Sequence, residues 1–495
     1  MSQESFDDVV RENIADFEME AEEALKDAVD QFKSQGVDLG NVMIRVPLAE
    51  GEIHPAVSCL EAYKELVALE DVSLDALQAI GSDFAEHMSD KAVRIMVAAE
   101  GAIVVLLAAC DKFAGAQQEP QLAEAIRVMN TCLQGQPDLL GRVQTSCLDV
   151  ASGLTATPTP EIMKIMAHLK AYPDSSAIQA AVLKTVRFGS FMHESNRQAF
   201  VAAGVIEFCL AAAEKHAGSQ AVVVASMQAL RALTRDDDPR VPFGKATEHA
   251  KMIAEDAGGL KRLLVVLQAS GTCDAEAAEA DPKAAAELFK TLSQLATRDE
   301  FCKQIVDFGC LDYVLPALAR FNTNETVAHS GCTLLRAVAG NDEVKKIIGD
   351  RGGIGIIVDT MEAQLKSEKV AEQGNAAFAA LCLKQQGNAA AVAAANGPHV
   401  IVKTMYLHPQ AKKLQRQACM ALRNIVVRNP ELVDDVLGQG AENAINVALQ
   451  NHPEDCKDEA KAALRDLGCD VHLIERWTGK LKTENLDLDG SVRPT

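Results

Sequence analysis

Residues 416–450 read RQACMALRNIVVRNPELVDDVLGQGAENAINVALQ, and the fold is decided there. The stretch falls into parts. An alanine- and leucine-rich helix ends in Leu422-Arg423-Asn424-Ile425, and Asn429-Pro430 makes a turn. A second short helix follows, and then Gly440 introduces an apolar helix. Proline cannot continue a helix but is well placed to open one, so Asn429-Pro430 reads as a stop followed by a start. Gly440 suits a sharp inter-helix turn, where positive φ or close packing excludes a side chain. The same order of parts recurs in HSGCTLLRAVAGNDEVKKIIGDRGGIGIIVDTM from His329 and in ELFKTLSQLATRDEFCKQIVDFGCLDYVLPAL from Glu287. Weaker copies begin near Ala180, Ala225, Gln373 and Asp458.

Two anchors give one period. The leucine of the first helix is Leu292, Leu335, Leu381, Leu422 and Leu464, at spacings of 43, 46, 41 and 42. The turn glycines Gly309, Gly352, Gly397 and Gly440 are spaced 43, 45 and 43. A period in the low forties with three helices per unit predicts a right-handed α-solenoid, all-α, in which stacked units bury one continuous core. The count of units is about eight or nine over residues 51–478. Leu230 to Leu292 is 62 residues, which marks inserted loops near 235–250 and 270–283; a third lies at 152–160, SGLTATPTP. Residues 1–50 form a separate acidic helical segment, where Val10, Ile14 and Phe17, then Leu25, Val29 and Phe32, keep helical spacing. The polar stretch 479–495 reads as a disordered tail.

Composition excludes several function classes. Of 495 residues 48% are hydrophobic, which suits a folded chain, while aromatics are only 4%, which disfavours sandwiches and barrels. The net charge of −22 repels nucleic acid and anionic membrane, so neither is an expected partner. The N-terminus MSQESFDDVVRENIADFEME has no apolar signal region, and Ala102–Cys110 is far shorter than the roughly 20 residues that span a bilayer. Thirteen cysteines include no CxxC pair and fit buried, reduced thiols in the cytoplasm, with the nucleus as an alternative location.

The Arg416 unit resembles the armadillo repeat family almost position for position. Further segments resemble one member of that family: SFDDVVRENIADF from Ser5, QFKSQGVDL from Gln31, GQPDLL from Gly135, RVPFG from Arg240 with HAKMI from His249, AVAGNDEVK from Ala337, and KAALRDLGC from Lys461 with Trp477 beyond it. The resemblance implies an armadillo-type solenoid that binds proteins and has no catalysis. Peptide-binding members share a tryptophan–asparagine ladder on the long helix. Here the asparagine positions read Phe188, Ala232, Gln294, Ala337, Leu383, Asn424 and Asp466, and no tryptophan precedes them. Only Gln294 and Asn424 keep an amide for a peptide backbone, so an import-receptor role is disfavoured.

One charged pattern does recur. Arg187, Arg231, Arg336, Arg423 and Arg465 occupy the same repeat position, beside the groove-asparagine site. A guanidinium presents a planar fork for carboxylates, so a row of them in an acidic protein would select an acidic partner segment. Against this stands the ordinary alternative that each pairs with an acid of its own or the next repeat. The expected binding residues are Arg187, Arg231, Lys290, Gln294, Arg336, Arg423, Asn424 and Arg465.

Other patterns carry less. His452, Cys456, Cys469 and His472 have zinc-like spacing, but the helix between the cysteines holds them roughly 18 Å apart. Gly353-Ile354-Gly355 lacks a third glycine and a preceding strand. Asp236-Asp237-Asp238 lacks the glycine and terminal glutamate of a calcium loop and reads as a solvated helix terminus. No nucleophile elbow or metal-hydrolase motif is present, and no catalytic residue, metal or cofactor is expected. The expected function is a non-catalytic scaffold that takes an extended or helical protein segment along its groove. The alternative is binding through loops 235–250 and 270–283, with a regulatory subunit of an enzyme complex more remote.

Overall fold

The computed structural model describes residues 3–17, 19–37, 39, 42, 44, 54–140, 157–270 and 282–471. Every regular element among them is helical, and the architecture is the all-α armadillo solenoid. The chain divides into two compact units, Met1–Asn341 and Asp342–Thr495. Most of the loops at 152–160 and 270–283 fall outside the described residues, as do the tail and Trp477.

In the first unit the long helices Glu119–Leu133, Ser176–Gly189, Gln220–Leu233, Pro282–Leu295 and Glu325–Val338 pack each against the next. In the second unit the sequence is Glu368–Leu381, Lys412–Val426 and Pro453–Asp466. The alanines seen in the sequence explain this closeness: Ala285, Ala328, Ala377 and Ala418 are fully buried between long helices, where a larger side chain would hold the backbones apart.

The period read from the sequence reappears as hydrogen bonds between successive repeats. The His408 Nε2 lies 2.7 Å from the Leu365 carbonyl, His452 Nε2 is 2.9 Å from that of Pro409, and His216 Nε2 is 2.9 Å from that of Pro173, each 43 residues back. Gln179 and Gln415 repeat one motif within a unit. Each amide donates to carbonyls seven and ten residues earlier, Tyr172 and Leu169 for one, His408 and Met405 for the other, at 2.8–2.9 Å. These amides satisfy the orphan carbonyls at the end of the preceding helix.

The turn residues agree with the sequence reading with one correction. Gly309, Gly352 and Gly440 have φ of 95°, 74° and 86°. In the remaining repeat the left-handed residue is Asn396, at φ 64°, and not Gly397. Asparagine tolerates this region better than other side chains. Gly397 opens the helix Gly397–Leu407, where a Cβ would lie 2.7 Å from the Val392 carbonyl oxygen.

The N-terminal helices Gln3–Asp16 and Ala21–Ser34 form a hairpin with a core of its own from Phe6, Val10, Ala24, Ala28, Leu39 and Val42. Phe17, assigned by spacing to the buried face, is instead exposed. No single helix among the described residues is long and apolar enough to cross a membrane. The apolar run near Ala102 belongs to a helix, Ala102–Gly115, bent by 80° from Lys91–Ala99.

All eleven described cysteines are free thiols and ten are buried, Cys469 being the exception. Burial pushes Cys132, Cys332 and Cys382 up to about 12, leaving almost no thiolate at neutral pH. Native-state alkylation read by mass spectrometry is therefore expected to modify Cys469 slowly, since burial and Glu442 raise its pKa too, and those ten only after denaturation. Rapid native labelling of Cys209 or Cys419 would contradict this packing.

Candidate functional site

The recurrent arginines lie on the long helices, and the contacts of Arg187, Arg231 and Arg423 run to the next long helix. Arg187 Nη1 donates to Gln228 Oε1 at 2.7 Å, its guanidinium 5.3 Å from the Phe188 ring centre. Arg231 donates through Nη2 to Glu287 Oε2, through Nη1 to the Glu287 carbonyl at 3.0 Å, and to Thr291 Oγ1 at 3.3 Å. Lys290 Nζ donates to the other oxygen of the same carboxylate at 2.9 Å. Burial alone would raise the Glu287 carboxyl, but Arg231 and Lys290 outweigh it and hold it below its ordinary value. In the second unit Arg423 Nε donates to Asp466 Oδ2 at 2.8 Å and Arg465 Nε to Oδ1 at 2.9 Å. Arg336 is exposed at the equivalent position of Glu325–Val338.

Two features follow. Glu287 and Asp466 each face two cations, so these pairings do not neutralise the arginines one for one. Arg187 donates its hydrogen bond to a neutral amide, with Glu287 acting on it through space. The two groove amides have other work. Gln294 Nε2 donates to Thr234 O at 2.9 Å and Thr234 Oγ1 at 2.7 Å, closing the end of Gln220–Leu233, and Asn424 Nδ2 donates to Ala379 O at 2.7 Å.

A second arrangement is the largest feature the sequence reading missed. The short helix Glu194–Ala202 buries Glu194, Ser195, Asn196 and Arg197 as well as Ala199 and Phe200. Arg197 is 0% exposed, the largest fully buried side chain. Its Nη1 donates to the Arg235 carbonyl and its Nη2 to Asp237 Oδ1 at 2.6 Å. The Nε lies 3.6 Å from Glu194 Oε2 and has no hydrogen-bond partner. Glu194 Oε1 in turn accepts from the Lys245 backbone N–H at 2.7 Å.

Asp238 accepts from the Glu194 N–H at 2.8 Å, and from Arg240 Nε at 2.9 Å. Burial works the other way, yet Arg240 and the two backbone N–H bonds hold the Asp238 carboxyl down at about 2. The solvated-terminus reading of Asp236–Asp238 is thus corrected at Asp238, while Asp236 is exposed. Asp238 does serve a helix N-terminus, but buried, and that of a helix 44 residues earlier. Arg240 Nη1 reaches Asp138 Oδ1 at 3.0 Å, and His193 Nε2 lies 3.0 Å from the same oxygen. The sequence segments GQPDLL and RVPFG meet in this network through Asp138 and Arg240, which lie 102 residues apart. The inserted loop itself is 235–245; Ala246–Lys251 is helical and continues into a π-turn at Met252–Asp256.

His193 Nδ1 accepts from the Asn196 N–H at 3.2 Å, which caps the short helix and fixes the neutral ring. Burial lowers the pKa of His193, His168 and His249, so each is held neutral. The unfolded chain then takes up protons first as pH falls through about 6.5. Stability should be level above neutral pH and decline below about 6.5. His193→Asn keeps an acceptor for the cap and should flatten that decline in urea titrations at pH 7.5, 6.0 and 5.0. An unchanged slope would show that His193 is not one of the groups responsible.

No group of three metal-binding side chains occurs among the described residues. Of the zinc-like set, His452 is bonded to Pro409, Cys456 is buried, and His472 lies outside the described residues.

Stacked three-helix repeats with charged side chains arrayed along successive long helices define an armadillo-repeat protein, a class generally built for protein interaction. Among solved structures the chain is similar to an engineered protein, with a TM-score of 0.54 and 20% identity over 83% of this chain and 100% of that one. It is also similar to a chain from work on the interaction between cadherin and beta-catenin, with a TM-score of 0.55 and 14% identity over 83% and 76%. The chain belongs to the armadillo repeat-containing protein 6 family (ARMC6), whose pattern matches residues 57–486, with that family's N-terminal domain matching residues 1–60. It is 37% identical to the human armadillo repeat-containing protein 6 over 494 residues, 97% of this chain and 93% of the relative. The Drosophila melanogaster homologue is 30% identical over 484 residues, 97% of each.

Proposed function

We propose that the chain is a non-catalytic scaffold that takes an acidic protein segment along its long-helix face, centred in the first unit on Arg187, Arg231 and Lys290. One observation carries this reading: the single carboxylate of Glu287 answers Arg231 and Lys290 directly and acts on Arg187 through space, so three cations share one acid on a protein of net charge −22. The buried carboxylate orients Arg231 and leaves guanidinium edges for a second acceptor. Arg423 and Arg465 around Asp466 repeat the two-cations-to-one-acid arrangement in the second unit.

The test is fluorescence anisotropy with a labelled peptide of about eight glutamates, long enough at roughly 3.3 Å per residue to cross two long helices. Arg187→Glu combined with Lys290→Gln should weaken binding at least about tenfold, and added salt should weaken wild-type binding. Both side chains reach solvent, so the helical circular dichroism should not change. Equal binding by wild type and variant would overturn the reading.

A further inference from the structure

The loop 235–245 does more than cover the short helix beneath it. Phe243 at its tip is 82% exposed, the most exposed large hydrophobic side chain among the described residues. The chain around it is held on both sides. Asp238 and Asp138 fix Arg240, the Val241 N–H donates to Asp238 O at 3.1 Å, and Glu194 accepts from the Lys245 N–H. At Gly244 a Cβ would lie 2.8 Å from Asp236 Oδ1 and 3.1 Å from Glu194 Oε2, so a side chain there would have to push these carboxylates aside.

Arg240 Nη2 also donates to the Met192 carbonyl at 3.1 Å, and Met192 keeps a left-handed φ of 48°. A non-glycine residue persists there only where its surroundings impose it. Phe191 and Met192 are themselves exposed, 43% and 42%. The loop's cations are engaged with acids: Arg235 with Asp237, Arg240 with Asp138 and Asp238, and Lys245 with Glu248. Beside the exposed Asp236, what this surface offers a partner is apolar and held in place, the combination that makes an aromatic side chain an efficient anchor. It is also continuous with the basic cluster. Arg235, the first loop residue, follows the helix that carries Arg231, and its charge is felt at Arg187.

We propose that Phe243, Phe191 and Met192 form a second docking point for the acidic segment, receiving an apolar side chain that flanks its acidic residues. This rests on the function proposed above and adds a sequence requirement: acidic residues next to a large apolar one.

Two labelled peptides separate the two ideas, an all-glutamate peptide and one of the same length ending in Leu-Phe. Wild type should bind the second roughly tenfold more tightly, the gain of burying one large apolar side chain. Phe243→Ala should abolish that gain and leave the all-glutamate affinity unchanged, and Phe243→Ser should match it. Arg187→Glu should weaken both peptides. A gain that survives in both Phe243 variants overturns the docking point and leaves the groove reading standing. Failure of wild type to bind either peptide overturns both. Two further results would also overturn the proposal by assigning the patch another occupant. One is Phe243-dependent co-sedimentation with phosphatidylserine vesicles, and the other is Phe243-dependent dimerisation in sedimentation velocity.

Discussion

Arg197→Met is expected to destabilise the first unit by about 3–5 kcal/mol, the cost of breaking a buried charge network from one side. The guanidinium answers Asp237 and the Arg235 carbonyl and lies beside Glu194, which is itself almost completely buried. Methionine fills much of the volume but supplies no donor. Glu194 would keep its bonds from the Lys245 N–H and Gln198, but lose the one cation buried beside it. Arg197→Lys restores a charge without the fork that spans both acceptors, so it should recover only part of the loss. Urea unfolding gives the stability, and limited trypsin digestion gives the location. Cleavage after Arg235 and Arg240 should accelerate in Arg197→Met, because the loop is tied down through that side chain. A stable variant with an uncut loop would mean that the network does not hold the loop.

The second large effect is expected at Asn388. Its amide donates to Lys345 O at 2.9 Å and to Leu381 O at 3.0 Å, joining a short helix to the one a repeat earlier and to the end of its own long helix. Asn388→Ala removes both donations and leaves the Leu381 carbonyl at the helix end without this donor, a loss of about 2–3 kcal/mol. Gln385 is the control within the same turn. It donates to Asp342 O at 3.1 Å on the solvent side, so Gln385→Ala should stay within about 0.5 kcal/mol. Equal losses at the two sites would show that the Asn388 bonds are not specially stabilising. Asn196 makes the matching pair of bonds in the first unit, to Gly189 O at 2.8 Å and Pro137 O at 2.9 Å. The staple therefore belongs to the repeat itself, whichever copy carries it.

The repeats were legible because they are local. Helical spacing, the Leu-Arg ending and the turn glycines each occupy a few residues, and their recurrence fixes which helices stack. Even the exception at Asn396 keeps the rule, since its neighbour Gly397 marked the turn within one residue. The arginine positions were legible for the same reason, but their partners were not. Nothing in the sequence near Arg231 points to Glu287, 56 residues away across an insertion. The Arg197 network was hidden further. Its members come from the 137–140 turn, the short helix and the inserted loop, with Arg240 and Asp138 separated by 102 residues. An acidic triplet looks solvated until a buried arginine is found behind it. One signal was available: Glu194, Arg197 and Phe200 share a helical face, so the polar pair had to be either exposed with a phenylalanine or buried with it.

The central claim is that an acidic segment lies across the long helices of the first unit. Hydrogen–deuterium exchange of the full chain, with and without saturating glutamate peptide, tests it most directly. The account predicts slower exchange in Ser176–Gly189, Gln220–Leu233 and Pro282–Leu295, lost in the Arg187→Glu/Lys290→Gln variant. Protection confined to other helices, or none at saturation, would contradict it.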